Sequence, residues 1–173
     1  EFRRVLFRSE DRFYYITICN DDYAHPPMPG DVAEGILRGL YRYKAADNGQ
    51  PQALLFGSGA IFNEAVRAQE ILRDTYGVHT DLYSATSYNE LRRDCLDVER
   101  WNRLHPTETP RISYLDWMLN GSTLPIIAAS DYMKIVPDQI APWVPGRLTS
   151  LGTDGFGRSD NRQHLRRHFE VDS

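Results

Sequence analysis

The chain is predicted to be an α/β domain, with a mostly parallel sheet between helices on both faces, making three layers. Three observations predict this. Short apolar or β-branched segments alternate with segments of helical period. Glycines and capping residues stand at the junctions between them. The 173 residues, 41% hydrophobic and 25% charged, suffice for one core and contain no visible linker or repeat.

The elements follow in order. Phe13 to Cys19 is aromatic and β-branched and predicts a strand. Asn20 to Pro29 carries three prolines, which forbid helix and predict a stiff loop. Asp31 to Tyr43 predicts a helix, capped by Gly30 or Asp31, with Val32, Ile36, Leu40 and Tyr43 on one face. Gly35 and Gly39 would give it a close-packing face.

Asn48-Gly49 is a turn, and Ala53 to Phe56 is a short strand. Gly57-Ser58-Gly59 leads into a helix striped by Ile61, Ala65, Ala68 and Leu72, with Gly77 as a left-handed cap. Thr80 to Ala85 is a further strand. Ser87 and Glu90 form a capping box for a helix with Leu91, Cys95 and Val98 on one side. Arg100 to Arg111 reads as polar connection. Leu124 to Ala129 and Leu148 to Leu151 are strands, Tyr132 to Ile140 a short helix, and Asn161 to His168 a polar last helix.

Composition narrows the function classes. The first nine residues, EFRRVLFRS, are too basic and too short for a signal peptide and resemble a translated adaptor. Arg3, Arg4 and Arg8 against Glu1 give that stretch a net +2, so the −4 of the whole chain leaves −6 on the remainder. An acidic domain argues against nucleic acid, which needs a basic face. No run approaches the roughly 18 apolar residues of a membrane span. Cys19 and Cys95 form no CxxC pattern and read as free thiols of a reducing compartment.

Several short patterns have competing readings. Gly57-Ser58-Gly59 resembles a phosphate-binding turn, but Phe62 stands where a dinucleotide fingerprint needs glycine or alanine. Asp81, at the start of its strand, is also misplaced for a ribose-binding acid. A tight strand-to-helix turn explains the glycines. His164 and His168 share a helix face, yet Leu165 replaces the glutamate of a zinc-protease motif, so a solvated face competes with a metal site.

Gly152 to Asp160 could present backbone N–H groups and charges to a ligand, or could simply connect strand to helix with Ser159 or Asp160 as cap. His25 stands in the proline-stiffened loop after a strand, where α/β proteins place functional groups. Histidine as a residue type can hold or move a proton near neutral pH. His25 is the one candidate catalytic residue. A surface-loop histidine is the competing reading.

Three longer strings go beyond physical reading: YYITICNDDYAHPPMP, LYSATSYNELRRDCLDVERWNRLHPTETPR and LGTDGFGRSDNRQHLRRHFEVD. Together they resemble the homodimeric pyruvate dehydrogenase decarboxylating components, of the transketolase-like thiamine-diphosphate enzymes, from about Asp11 to Asp172. The resemblance implies a transketolase C-terminal-like domain over residues 10–173, incomplete at its C-terminal end, after a foreign tail over 1–9. It implies a bacterial, cytoplasmic parent that decarboxylates pyruvate oxidatively and reductively acetylates a lipoyl group.

The parent would use thiamine diphosphate and Mg2+, held by other domains, so no cofactor is expected to bind this stretch alone. That stretch would be inactive by itself. Implied partners are a second copy of the parent chain and the lipoyl acetyltransferase component. A family histidine follows the tyrosine of an NENY-type loop. Here Asn20-Asp21-Asp22-Tyr23 is followed by Ala24, which puts His25 one residue late. Two other readings stand beside this one: a non-catalytic dimerisation or docking module, and the decarboxylase of a related 2-oxo acid.

Overall fold

The structure, a computed structural model, describes residues 22–173. The expected tail over 1–9, the strand Phe13 to Cys19, and Asn20-Asp21 lie outside the described residues. Residues 22–29 form irregular loop, as their prolines require.

The elements are α1 (Ala33–Arg38), β1 (Leu40–Lys44), β2 (Ala53–Gly57), α2 (Phe62–Tyr76), β3 (Thr80–Ala85) and α3 (Tyr88–Leu104). They continue with α4 (Tyr114–Leu119), β4 (Ile126–Ala129), α5 (Ile135–Asp138), β5 (Leu148–Leu151) and α6 (Arg162–His168). Short 3-10 turns cover Gly59–Ile61 and Ala141–Trp143. The sheet order is β1-β3-β2-β4-β5. β3, β2, β4 and β5 run parallel, and β1 pairs antiparallel with β3. The mostly parallel α/β class therefore holds, with one antiparallel edge.

Alternation along the strands makes the three layers. Leu54 and Phe56 of β2 join Tyr83 and Ala85 of β3 in a core with Leu91 and Cys95 of α3, Leu115 and Leu119 of α4, and Ile126. Leu55 and Leu82 face the other way, onto Phe62 and Ala65 of α2. Phe56 and Leu82 are wholly buried, and each contributes about 1.5–3 kcal/mol by leaving water.

The expected helix from Asp31 to Tyr43 is corrected. It stops at Arg38, because Gly39 takes φ +99° and closes it as a left-handed cap. The chain then turns into β1, where Leu40 pairs with Ala85 and Tyr41 with Ser84. Gly35 does pack closely, against its own returning chain. A Cβ there would lie 2.7 Å from Tyr41 Cβ and 2.9 Å from the Leu40 carbonyl. The N-cap position is Val32 without a side-chain bond, and neither Gly30 nor Asp31 serves.

Other boundaries move for local reasons. α3 runs on to Leu104, into the expected polar connection. α4 was not anticipated. Ser113 caps it by accepting from Asp116 N and donating to Asp116 Oδ2. β4 begins at Ile126 rather than Leu124, since Pro125 has no N–H to give the ladder. The helix expected over Tyr132 to Ile140 shrinks to Ile135–Asp138. The preceding segment is held in turns by bonds to Thr153 and Asp154. Gly77 (φ +63°) and the Ser87 cap, which accepts from Glu90 N, stand as expected.

Candidate functional site

Parallel strands place their C-terminal ends, and the loops leaving them, on one edge of the sheet. Here that edge carries a cleft of about 690 Å³. Ser58 and Gly59 after β2, Ser84 and Ala85 at the end of β3 with Thr86 to Asn89 beyond it, and Tyr132 after β4 contribute to it. So do Tyr41 and Tyr43 from β1, and His25 with Pro26 from the N-terminal loop.

The turn after β2 is fixed tightly. Ser58 N donates to the Ala129 carbonyl at 3.1 Å. A Cβ on Gly57 would sit 2.9 Å from Ala65 Cβ, so helix and strand approach as closely as glycine permits. Phe62, at the place of the missing third glycine, packs edge-on against Tyr43 with centroids 5.1 Å apart. Gly59 takes φ +56° beside the Asp131 carboxylate.

The turn after β3 rests on α1. Thr86 and Ser87 donate their backbone N–H groups to the Gly39 carbonyl, and Thr86 Oγ1 donates to the Ile36 carbonyl at 2.8 Å. Tyr88, the first residue of α3, is 4% exposed, and its hydroxyl is buried without a protein partner. Burial pushes that phenol well above its usual range. Tyr88 is not among the residues that the sequence patterns mark. Its position directly after a strand and a capping serine was the available signal.

His25 is exposed and lines the cleft. Its loop is attached on two sides. Asn63 Nδ2 of α2 donates to the Ala24 carbonyl at 3.2 Å. Tyr23 lies against α6, where Arg162 NH1 donates to its hydroxyl and Arg162 and Arg166 lie over its ring at 5.3 and 5.7 Å. Arg166 is held in turn by Glu64 Oε1 at 2.5 Å. None of these neighbours was singled out from sequence, since the contacts join residues up to 139 apart.

The Gly152 to Asp160 turn divides in two. Its first half docks on the segment after β4. Thr153 Oγ1 donates to the Asp131 carbonyl at 2.7 Å, and Asp154 accepts from Lys134 N at 2.9 Å. A Cβ on Gly152 would meet the Tyr132 carbonyl at 2.5 Å. Its second half is exposed, with Phe156 at 96%. The cap of α6 is Asn161, which accepts from His164 N, rather than Ser159 or Asp160. The Asn161 N–H and the His164 ring beside Asp160 hold its carboxyl below the usual range. His164 is thus turned onto Asp160, while His168 stands edge-on to Phe169.

A diphosphate–metal group asks for cationic or N–H donors and for oxygen ligands to the metal. No aspartate, glutamate, lysine or arginine side chain lines the cleft. Among the described residues no cluster of three or more His, Cys, Asp or Glu is placed to hold a metal ion. These residues therefore do not compose a thiamine-diphosphate site by themselves. No helix among the described residues is long and apolar enough to cross a membrane.

Comparison with known proteins gives a consistent set of likenesses. A family model described as the transketolase-like TK C-terminal domain matches residues 39–172. The pyruvate dehydrogenase E1 component of Cupriavidus necator is 46% identical over 98% of this chain and 19% of its own length. That of Pseudomonas aeruginosa is 47% identical, over 98% and 20%. That of Escherichia coli K12 is 46% identical, over 96% and 19%. The chain spans about a fifth of the length of these curated relatives. Among solved structures, transketolase from Leishmania mexicana superposes with TM-score 0.54 at 18% identity, over 84% of this chain and 18% of that one. Transketolase from Campylobacter jejuni gives 0.52 at 14% identity, over 86% and 18%. At those identities the structures support the fold alone.

Proposed function

The chain belongs to the transketolase-like C-terminal domain family, and from that premise we propose that it serves as the third domain of a pyruvate dehydrogenase decarboxylating component. The parent reaction is oxidative decarboxylation of pyruvate with acetyl transfer to a lipoyl group. Residues 10–173 supply the domain, and residues 1–9 are foreign to it. Thiamine diphosphate and Mg2+ bind elsewhere in the parent, a cytoplasmic homodimer that works with a lipoyl acetyltransferase. By itself this stretch is inactive.

The observation that carries the reading is the place of His25. It stands at the rim of the cleft on the strand-end edge of the sheet, on a loop anchored from α2 and α6. A histidine so held can move a proton or orient a lipoyl group arriving from a partner. His25→Ala in a full-length enzyme carrying this domain should slow reductive acetylation by about tenfold or more. Unchanged acetylation would remove His25 from the mechanism.

A second reading, a dimerisation module, draws support from the groove under α4. Ile112 and Trp117 line it while 72% and 65% exposed. The occupant would be a second copy of the chain. Sedimentation of the purified chain as a monomer at tens of micromolar would count against it.

A further inference from the structure

The proposed role for His25 leaves the α6 arginines unexplained, although their contacts converge on its loop. Tyr23, two residues before His25, sits in a bracket of two guanidinium groups. Arg162 lies over its ring and donates to its hydroxyl, and Arg166 lies over the ring at 5.7 Å. Arg166 is no mobile surface cation. Its side chain is 19% exposed and bonded to Glu64, itself 18% exposed, on the first turn of α2. Asn63, next along that turn, holds the Ala24 carbonyl. Tyr23 and Ala24 are thus fixed from two helices immediately before the chain reaches His25.

The energetics favour this bracket as an anchor. Residues 22–29 have no regular secondary structure, and three of the loop's residues are prolines without N–H groups. Ladder bonds therefore do not hold the loop. A cation over an aromatic face is attracted by the ring's quadrupole, more strongly as the pair is desolvated. Two such contacts, one on a braced guanidinium, stand beside the single exposed Asn63 bond as the loop's attachments.

We infer that Tyr23, clamped by Arg162 and by the Glu64-braced Arg166, positions His25 at the cleft, and that the HLRRH helix exists to supply this clamp. The three are positioning residues, since none reaches the cleft lining. The inference deepens the proposed function and rests on it for its consequence in catalysis, but the clamp itself can be read without any activity.

The test uses backbone 15N relaxation on the chain as it stands, at Ala24, His25 and Met28. Order parameters near about 0.85 are expected in the unsubstituted chain, falling below about 0.6 in Tyr23→Leu and in Arg166→Gln. Tyr23→Phe, which keeps the ring, should restore most of the order. Arg167→Gln, on the exposed side of α6, should leave the loop unchanged. Circular dichroism and melting confirm that each variant keeps the fold.

Unchanged order in Tyr23→Leu, or a loop already below about 0.6 in the unsubstituted chain, overturns the clamp. In a full-length enzyme carrying this domain, Tyr23→Leu should lower lipoyl acetylation about tenfold. Decarboxylation read with an artificial oxidant should stay within twofold or so of normal, which damage to the fold would not allow. Lost order with unchanged acetylation upholds the clamp and overturns the catalytic reading of His25.

Discussion

Arg166 of α6 donates to Glu64 of α2 at 2.5 Å across 102 residues of chain, with both side chains about four-fifths buried. It is the best-shielded ion pair among the described residues. An exposed pair contributes little, whereas a shielded one leaves an unpaired charge behind when it is cut. Arg166→Ala should therefore cost about 1–2 kcal/mol in urea unfolding. Arg93→Ala, which breaks the exposed pair with Glu90, should cost under about 0.5 kcal/mol.

Gly39 should be intolerant of any side chain. Its φ is +99°, and a Cβ would lie 2.4 Å from the Ser87 carbonyl. The helix end, β1 and the turn beside the cleft all meet there. Gly39→Ala should destabilise the chain by more than about 2 kcal/mol, measured by chemical unfolding. Gly49→Ala also has positive φ, at +69°, but nothing lies within 4 Å. It should cost only about 1 kcal/mol.

Ser87→Ala should remove the bond to Glu90 N and cost about 1 kcal/mol. Asp or Asn in its place should restore most of that. Equal stability of Ser87→Ala and Ser87→Asp would show that the cap contributes nothing.

Cys95 should be unreactive in the folded chain. It is 1% exposed, and burial pushes its thiol up to about 11. Thiol reagents at pH 8 should modify it only at the rate of unfolding. The unfolded thiol titrates near about 8.5. Above that pH the unfolded state holds fewer protons than the folded one, so this group lowers stability as pH rises toward 11. Cys95→Ala should flatten that alkaline slope.

At the acid end, Arg73 donates to both Asp47 and Asp74 and holds their carboxyls below the ordinary range. A depressed carboxyl stabilises above its unfolded pKa, near about 3.9, and that contribution fades as pH falls through the folded value. Arg73→Met should return both carboxyls to ordinary titration by NMR. Because both carboxylates are exposed to solvent, raising salt should narrow the difference.

What could be read from residues alone was local. The strand Thr80–Ala85 follows from its own side chains, the start of α3 from Ser87 and Glu90, and the end of α2 from Gly77. Each rests on contacts a few residues apart, which short-range propensity registers. The loop character of residues 22–29 belongs to the same class, because proline acts on its own backbone.

Tertiary structure decided the rest. Leu40–Lys44 carries a spacing that suits a helix face, yet it is a strand, because β3 offers it an edge and Gly39 can turn the chain toward that edge. Whether His25 meets a cleft depends on β2, β3 and β4 lying side by side. Whether its loop is held depends on Tyr23 meeting an arginine 139 residues away. Such contacts form only when the ordering cost of the whole chain is met at once by its core. No window of sequence contains both partners, so local pattern named the loop and the histidine, and long-range packing gave them a place.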